Sequence, residues 1–370
     1  MTSSQIEIQL IGALTAAACA LPGVFLILRR MAMLTDAIGH AILLGIVLAF
    51  FVVSNLSSPL LIVGAALAGL LTISLVEGLE RTGRVREDAA TGITFPLLFG
   101  LAVILISRYA GNVHLDVDAV LLGELAYAPF NRVELGGADL GPQALWVMLG
   151  LLALNGALVT LLYKELKIGT FDAGLASTLG LAPGLVHYLL MSSVSLTTVG
   201  AFQTAGAILI VSFIVGPPAT AYLLTDRLGA MLWLSMAIGA ASAVAGYWLA
   251  YGLDASIAGS MAVVIGLVFL AAVLLAPEQG VVAGVRRRAS QAREFAETML
   301  VIHLFNHERS PEESRENRVV HLNEHLRWTP ERAREVVDLA LAHGLVRRRE
   351  ELLELTEDGR MRARDGMAMT

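Results

Sequence analysis

The sequence predicts an all-α polytopic membrane protein of about nine transmembrane helices, followed by a small α+β domain. Three observations predict it. Of the 370 residues, 56% are apolar, and the mean hydropathy is +0.70. The charges are split: residues 1–285 hold 10 Lys+Arg and 16 Asp+Glu, while residues 286–370 hold 16 Arg, no Lys and 16 Asp+Glu. Apolar runs of span length recur through the first part only. The expected domains are therefore 1–285, in the membrane, and 286–370, outside it. The net charge of −6 belongs wholly to the first part and does not point to nucleic acid.

The spans are expected at about 8–28, 33–53, 60–78, 91–108, 145–163, 185–200, 207–224, 230–251 and 257–276. The stretch 185–224 is too long for one crossing at 1.5 Å per residue. "VGAFQTAG" is the natural break in it. With the N-terminus outside, the short inner loops carry eleven Lys and Arg, and the outer ones only Arg108 and Arg132. That bias sets the orientation, and an odd number of spans leaves the charged tail in the cytoplasm. Cys19 is the single cysteine, which excludes internal disulfides and a cysteine-rich metal site. The start "MTSSQIEIQ" lacks the basic residues of a cleaved signal, so the first span is expected to be retained. Small residues recur in "GALTAAACALPG" and "MAIGAASAVAGYW", as suits close helix packing in lipid.

Two connecting segments stand out. The outer segment 109–144 contains His114, Asp116, Asp118 and Glu124 around the apolar "AVLLGELAYA". It is read as a surface or re-entrant helix with an acidic mouth that attracts cations, against an ordinary solvated loop. The inner segment 164–183 is amphipathic. Asp172, Ala176 and Gly180 follow a D-x3-A-x3-G spacing, which predicts a short helix ending at a glycine. Such a helix would suit docking onto a cytoplasmic protein, against a plain interfacial connector.

In the tail, residues 289–306 read as a helix. "HLNEHLRWTPERAREVVDLALAHGLVRRREELLELTEDG" then reads as a winged helix-turn-helix. Thr329 is the N-cap and Pro330 the first helical residue. Gly344 ends that helix, and "LVRRREELLELT" forms a two-stranded wing. A DNA reader shows a basic surplus, whereas this tail is neutral, so a regulatory role is favoured and nucleic acid is not an expected partner. His303 with His307, and His321 with His325, are i, i+4 pairs that place two rings on one helix face. That spacing suits a metal, against ordinary surface histidines.

The chemistry centres on "RRMAMLTDAIGHAILLG", residues 29–45. A carboxylate in mid-span costs roughly 2.5–3.5 kcal/mol on insertion scales, and such residues mark a pathway. Asp36 and His40, four apart, share one helix face. Carboxylate plus imidazole without thiolate suits manganese, iron(II) or zinc. If Arg30 marks the inner interface, His40 lies about 15 Å deeper. The bland alternative is a helix–helix hydrogen bond with no ion. His187 and Asn155 are further buried polar candidates, each taken as structural on its own.

These elements resemble the manganese/zinc/iron permease subunits of ABC importers over about residues 8–277. The family's R-R-M element leads into a D-x3-H pair followed by a glycine. "VHLDVDAVLLGEL" is similar to its outer segment, "FDAGLASTLG" to its cytoplasmic coupling segment, and "ILIVSFIVGPPATAYLLTDRLGAM" to its late span. Thr35, where a glycine is frequent, and Gly39, in place of serine or alanine, are departures. The tail resembles the metal-dependent repressor fold that some of these permeases carry as a fusion.

The resemblance implies a type II ABC importer permease, a second permease subunit of the same or a related chain, a separate ABC ATPase subunit and an extracytoplasmic metal-binding protein. It implies no permanently bound cofactor, with Mn(II), Fe(II) or Zn(II) as cargo. The chain lacks the G-x4-G-K-[ST] phosphate loop, so it is expected to be a transport subunit of the bacterial inner membrane and no enzyme. Asp36 and His40 would receive the ion, and Asp172, Ala176 and Gly180 would face the ATPase. Two other classes compete: an ATPase-independent metal transporter, and a membrane-anchored metal-responsive DNA-binding regulator.

Overall fold

The computed structural model describes residues 2–54, 58, 60–109, 125–135, 138–311 and 313–368. The chain divides into two compact units, Met1–Gly280 and Val281–Thr370. Residues 281–285 fall in the second unit because its first helix runs on unbroken from Val281.

The first unit is built from α1 (Ser3–Leu28), α2 (Ala32–Val53), α3 (Leu60–Arg81) and α4 (Glu87–Tyr109), then a two-stranded sheet of β1 (Arg132–Leu135) and β2 (Ala138–Pro142). It continues through α5 (Gln143–Leu161), the short α6 (Tyr163–Phe171) and α7 (Ala173–Thr178), then α8 (Pro183–Leu224), α9 (Leu228–Leu253) and α10 (Ile257–Leu275). Nine helices among the described residues are long and apolar enough to cross a membrane, α8 supplying two, Pro183–Phe202 and Thr204–Leu224. The break in α8 lies at Gly206, whose φ of 74° interrupts the helical run, within the predicted "VGAFQTAG". Glycine adopts that left-handed backbone at little cost.

The sequence explains which helices lie inside. The middle of α1 is lined by Ala16, Ala18, Cys19 and Ala20, all fully buried. Gly23 lies so close to the Ile214 carbonyl of α8 that no Cβ would fit. Gly45 of α2 and Gly64 of α3 meet backbone to backbone in the same way. Without water to drive association, such close contact is what holds helices together in lipid. Several buried hydroxyls are satisfied locally: Thr15, Thr72, Thr94 and Ser235 each donate to the carbonyl four residues earlier, at 2.6–2.8 Å. Asn155 ties three helices together. Its Nδ2 donates to Ala18 O at 2.9 Å and to Thr197 Oγ1 at 2.8 Å, and Ser193 Oγ donates to its Oδ1 at 2.6 Å. With those bonds made, it is a structural residue.

The later part of segment 109–144 is a β-hairpin, and the surface or re-entrant helix expected around "AVLLGELAYA" falls largely outside the described residues. Arg132 donates to Asp139 at 2.6 Å and reaches Glu7 of α1 at 3.2 Å. The Gly141 N–H, then Arg132, hold the Asp139 carboxyl below its ordinary pKa.

The second unit contains α11 (Val281–His307), α12 (Glu313–Glu316), α13 (Val319–His325), α14 (Pro330–Ala342), the hairpin β3 (Val346–Arg349) and β4 (Leu352–Leu355), and α15 (Glu357–Ala368). Leu300, Leu304, Leu322, Val336, Ala340 and Leu353 are fully buried and form its core. Thr329 caps α14 by accepting from Arg332 N. At the other end Gly344, φ 69°, donates to Leu341 O while Leu345 N donates to Ala340 O, the paired bonds of a glycine C-cap. Glu350 takes the left-handed conformation, φ 56°, in the two-residue turn between β3 and β4. The helix predicted at 289–306 starts earlier, at Val281.

Candidate functional site

α1 ends in an unusual way. Met31 N donates to Leu26 O and Arg30 N to Ile27 O, with Arg30 in the left-handed region at φ 64° where glycine is usual. The chain turns there and enters α2. Asp36 and His40 occupy its second and third turns, on one face. His40 Nε2 lies 3.5 Å from Asp36 Oδ1, an ion-pair distance longer than a good hydrogen bond. The His40 ring stacks on Phe95 of α4, centroids 5.5 Å apart, with Phe99 edge-on at 5.7 Å. The aromatic pair fixes the ring without using its nitrogens. Both polar side chains keep access in the single chain, 42% for Asp36 and 29% for His40. Asp36 opens into a groove of about 470 Å³, lined also by Met33, Ser212, Gly216, Ile265 and Phe269. The neighbouring Thr35 is fully buried, and at Gly39 a Cβ would meet open space.

A second polar group was not legible as a unit in the sequence. Arg29, His187 and Glu77 come from three separate stretches. Arg29 Nη1 donates to His187 Nδ1 at 2.9 Å, so the ring proton sits on Nε2 and is donated to Glu77. Tyr188 donates to the other Glu77 oxygen at 3.2 Å, and Arg29 Nε donates to Thr170 of α6 at 3.1 Å. Burial draws the Arg29 pKa below the usual guanidinium value. His187, taken alone as structural, belongs to a network that joins α1, α3, α6 and α8. The only local signal was Glu77, a carboxylate in the last turns of an apolar run.

Asp172, Ala176 and Gly180 resolve into a cap-to-cap helix. Asp172 is the N-cap of α7, accepting from Leu175 N at 2.8 Å. Ala176 is 1% exposed, and Gly180, φ 75°, closes the helix while Leu181 N donates to Ala176 O. Extended backbone at Asp172, φ −151°, separates α6 from α7. Gly180→Trp places a side chain on a left-handed backbone, which costs about 1–2 kcal/mol, and adds bulk to an exposed surface. If α7 docks on a partner ATPase, the variant is expected to insert in the membrane normally and to uncouple ATP hydrolysis from uptake. Wild-type uptake with normal ATPase assembly would count against that role.

Asp116, Asp118 and Glu124 lie outside the described residues, as does His114. His303 and His307 do come together, with ring centroids 4.8 Å apart. They are joined by Glu316, which sequence spacing had not suggested, and the three form a cluster that does not include His321. The side chain of His325 is not among those described.

Comparison with known proteins accords with this arrangement. Residues 5–276 match the ABC 3 transport family. The chain is 45% identical over 353 residues to the zinc transport system membrane protein TroD of Treponema pallidum (strain Nichols), covering 95% of this chain and 96% of that one. The match therefore takes in most of the second unit as well. It is 47% identical over 285 residues to the manganese transport system membrane protein MntD of Bacillus subtilis (strain 168), covering 77% and 96%. Among solved structures, PsaBC from Streptococcus pneumoniae in complex with Fab is similar with a TM-score of 0.62 and 28% identity, covering 75% of this chain and 94% of that one. The nine apolar helices among the described residues and these matches agree: the chain belongs to the ABC 3 transport family.

Proposed function

We propose that this chain is the membrane permease subunit of an ABC importer that carries a divalent transition metal, manganese with iron(II) or zinc, into the cytoplasm. The observation that carries the reading is the Asp36–His40 pair, 3.5 Å apart in an apolar helix, in a chain similar to zinc and manganese transport membrane proteins. Their partial exposure supports a second permease subunit. A carboxylate facing lipid is costly, so this face is covered by the same or a related chain, with the ion path between them.

An extracytoplasmic metal-binding protein delivers the ion to the outer mouth. Asp36 supplies charge that offsets dehydration, and neutral His40 supplies a nitrogen ligand. A partner ABC ATPase docks on 168–182, and its closure opens the inner side. The Lys and Arg bias supports a cytoplasmic tail. The element order α13, turn, α14, hairpin supports a winged helix there, and its neutral charge supports metal sensing over DNA binding.

The test is reconstitution in proteoliposomes with the neighbouring ATPase and binding protein. Radioactive manganese should accumulate only with internal and external components present and ATP on the ATPase side. ATP-independent accumulation by this chain alone would replace the importer with a secondary transporter.

A further inference from the structure

The end of α11 and the short α12 bring three ligating side chains to one place. The donor atoms of His303, His307 and Glu316 all lie within 4.8 Å of one another. The two imidazoles project from one face of α11, and Glu316 comes from a different element. Two of the three are buried: His303 is 9% exposed and Glu316 6%. They adjoin Leu300 and Leu304, which are fully buried.

A carboxylate placed at such a position costs stability unless something of opposite charge answers it. Elsewhere in the unit, Glu297 meets His343 at 3.1 Å and Glu308 meets Arg360 at 2.7 Å. The cluster at His303 differs in having two imidazoles converge on one carboxylate, all three of them metal donors.

We infer that Val281–Thr370 carries a divalent-metal site of its own, formed by His303, His307 and Glu316. Two imidazole nitrogens and one carboxylate oxygen suit Mn(II), Fe(II), Co(II) or Zn(II), and the lack of thiolate disfavours Cu(I). Donors about 2.0–2.2 Å from a tetrahedral ion stand roughly 3.3–3.6 Å apart, so the ion draws the three groups together by about 1 Å. Side-chain rotation supplies that movement. Three protein ligands leave a coordination position open, unlike the closed four-ligand structural sites. That position is left for water or another ligand. Binding pins α12 against α11. The inference deepens the sensor role proposed above, and the site itself stands independently of transport.

The experiment uses the full-length chain in detergent, carrying Asp36→Asn and His40→Ala so that the transport pair does not contribute. Co(II) and Mn(II) are titrated into it as the metal alone. One ion per chain should bind, with the visible absorption of imidazole-bound Co(II). His307→Ala, which removes the half-buried ring, should weaken binding at least tenfold. His303→Leu with Glu316→Leu should abolish it while keeping the far-ultraviolet circular dichroism. If that apolar pair does not fold, His307→Ala decides alone. Binding unchanged by His307→Ala, or no ion bound at all, overturns the site. Because the readout is binding to purified protein, failure here leaves the transport reading standing, and failure of transport leaves this site standing.

Discussion

Asp36→Asn should reduce metal uptake per assembled transporter by at least roughly 100-fold, beyond the 10–100-fold typical of losing an outer-shell partner of a metal ligand. The substitution keeps the shape and one oxygen but removes the negative charge that offsets dehydration of the ion. His40→Ala should have a comparable effect for a different reason, the loss of a nitrogen ligand. An imidazole must be neutral to bind metal. Wild-type uptake should therefore fall as the pH drops far enough for the ring to take up a proton. His40→Ala should lose the part of that dependence which arises from the ring. Both variants should insert and assemble, because the pair is partly exposed and an intramembrane carboxylate is a cost rather than a source of stability. Radioactive uptake normalised to assembled complex measures this. Near wild-type uptake per complex in either variant would sink the ligand assignment.

Glu77→Ala should instead remove the protein. The Glu77 side chain is 12% exposed and accepts from His187 and Tyr188. Its loss leaves Arg29 and His187 facing each other with no carboxylate nearby. Breaking a buried charged pair on one side costs about 3–5 kcal/mol. The residual exposure and the nearby Arg81 place the expected loss near the lower end, about 3 kcal/mol. Glu77→Gln, which still accepts from one donor, should lose less. The measurement is the fraction of detergent-solubilised protein that stays monodisperse after heating. A Glu77→Ala protein that melts with the wild type would show that the network is not a structural tie.

Residue order alone gave the apolar spans, their number and the Asp36–His40 pair on one helix face. Span length follows from bilayer thickness, and an i, i+4 spacing fixes a shared helix face whatever the helix packs against. The break inside 185–224 was legible for the same reason, since one crossing has a length limit. The tail's caps at Thr329 and Gly344 were legible because a cap is satisfied within a few residues of itself. Only the tertiary structure decided what stands opposite. Phe95 and Phe99 reach His40 from another helix, and Glu77 meets Arg29 and His187 across gaps that no local periodicity encodes. Glu316 joins His303 and His307 because a turn folds α12 back onto α11. Within the first unit, such contacts depend on which backbones approach closely, as at Gly23, Gly45 and Gly64, where the side chain is absent and packing chooses the partner.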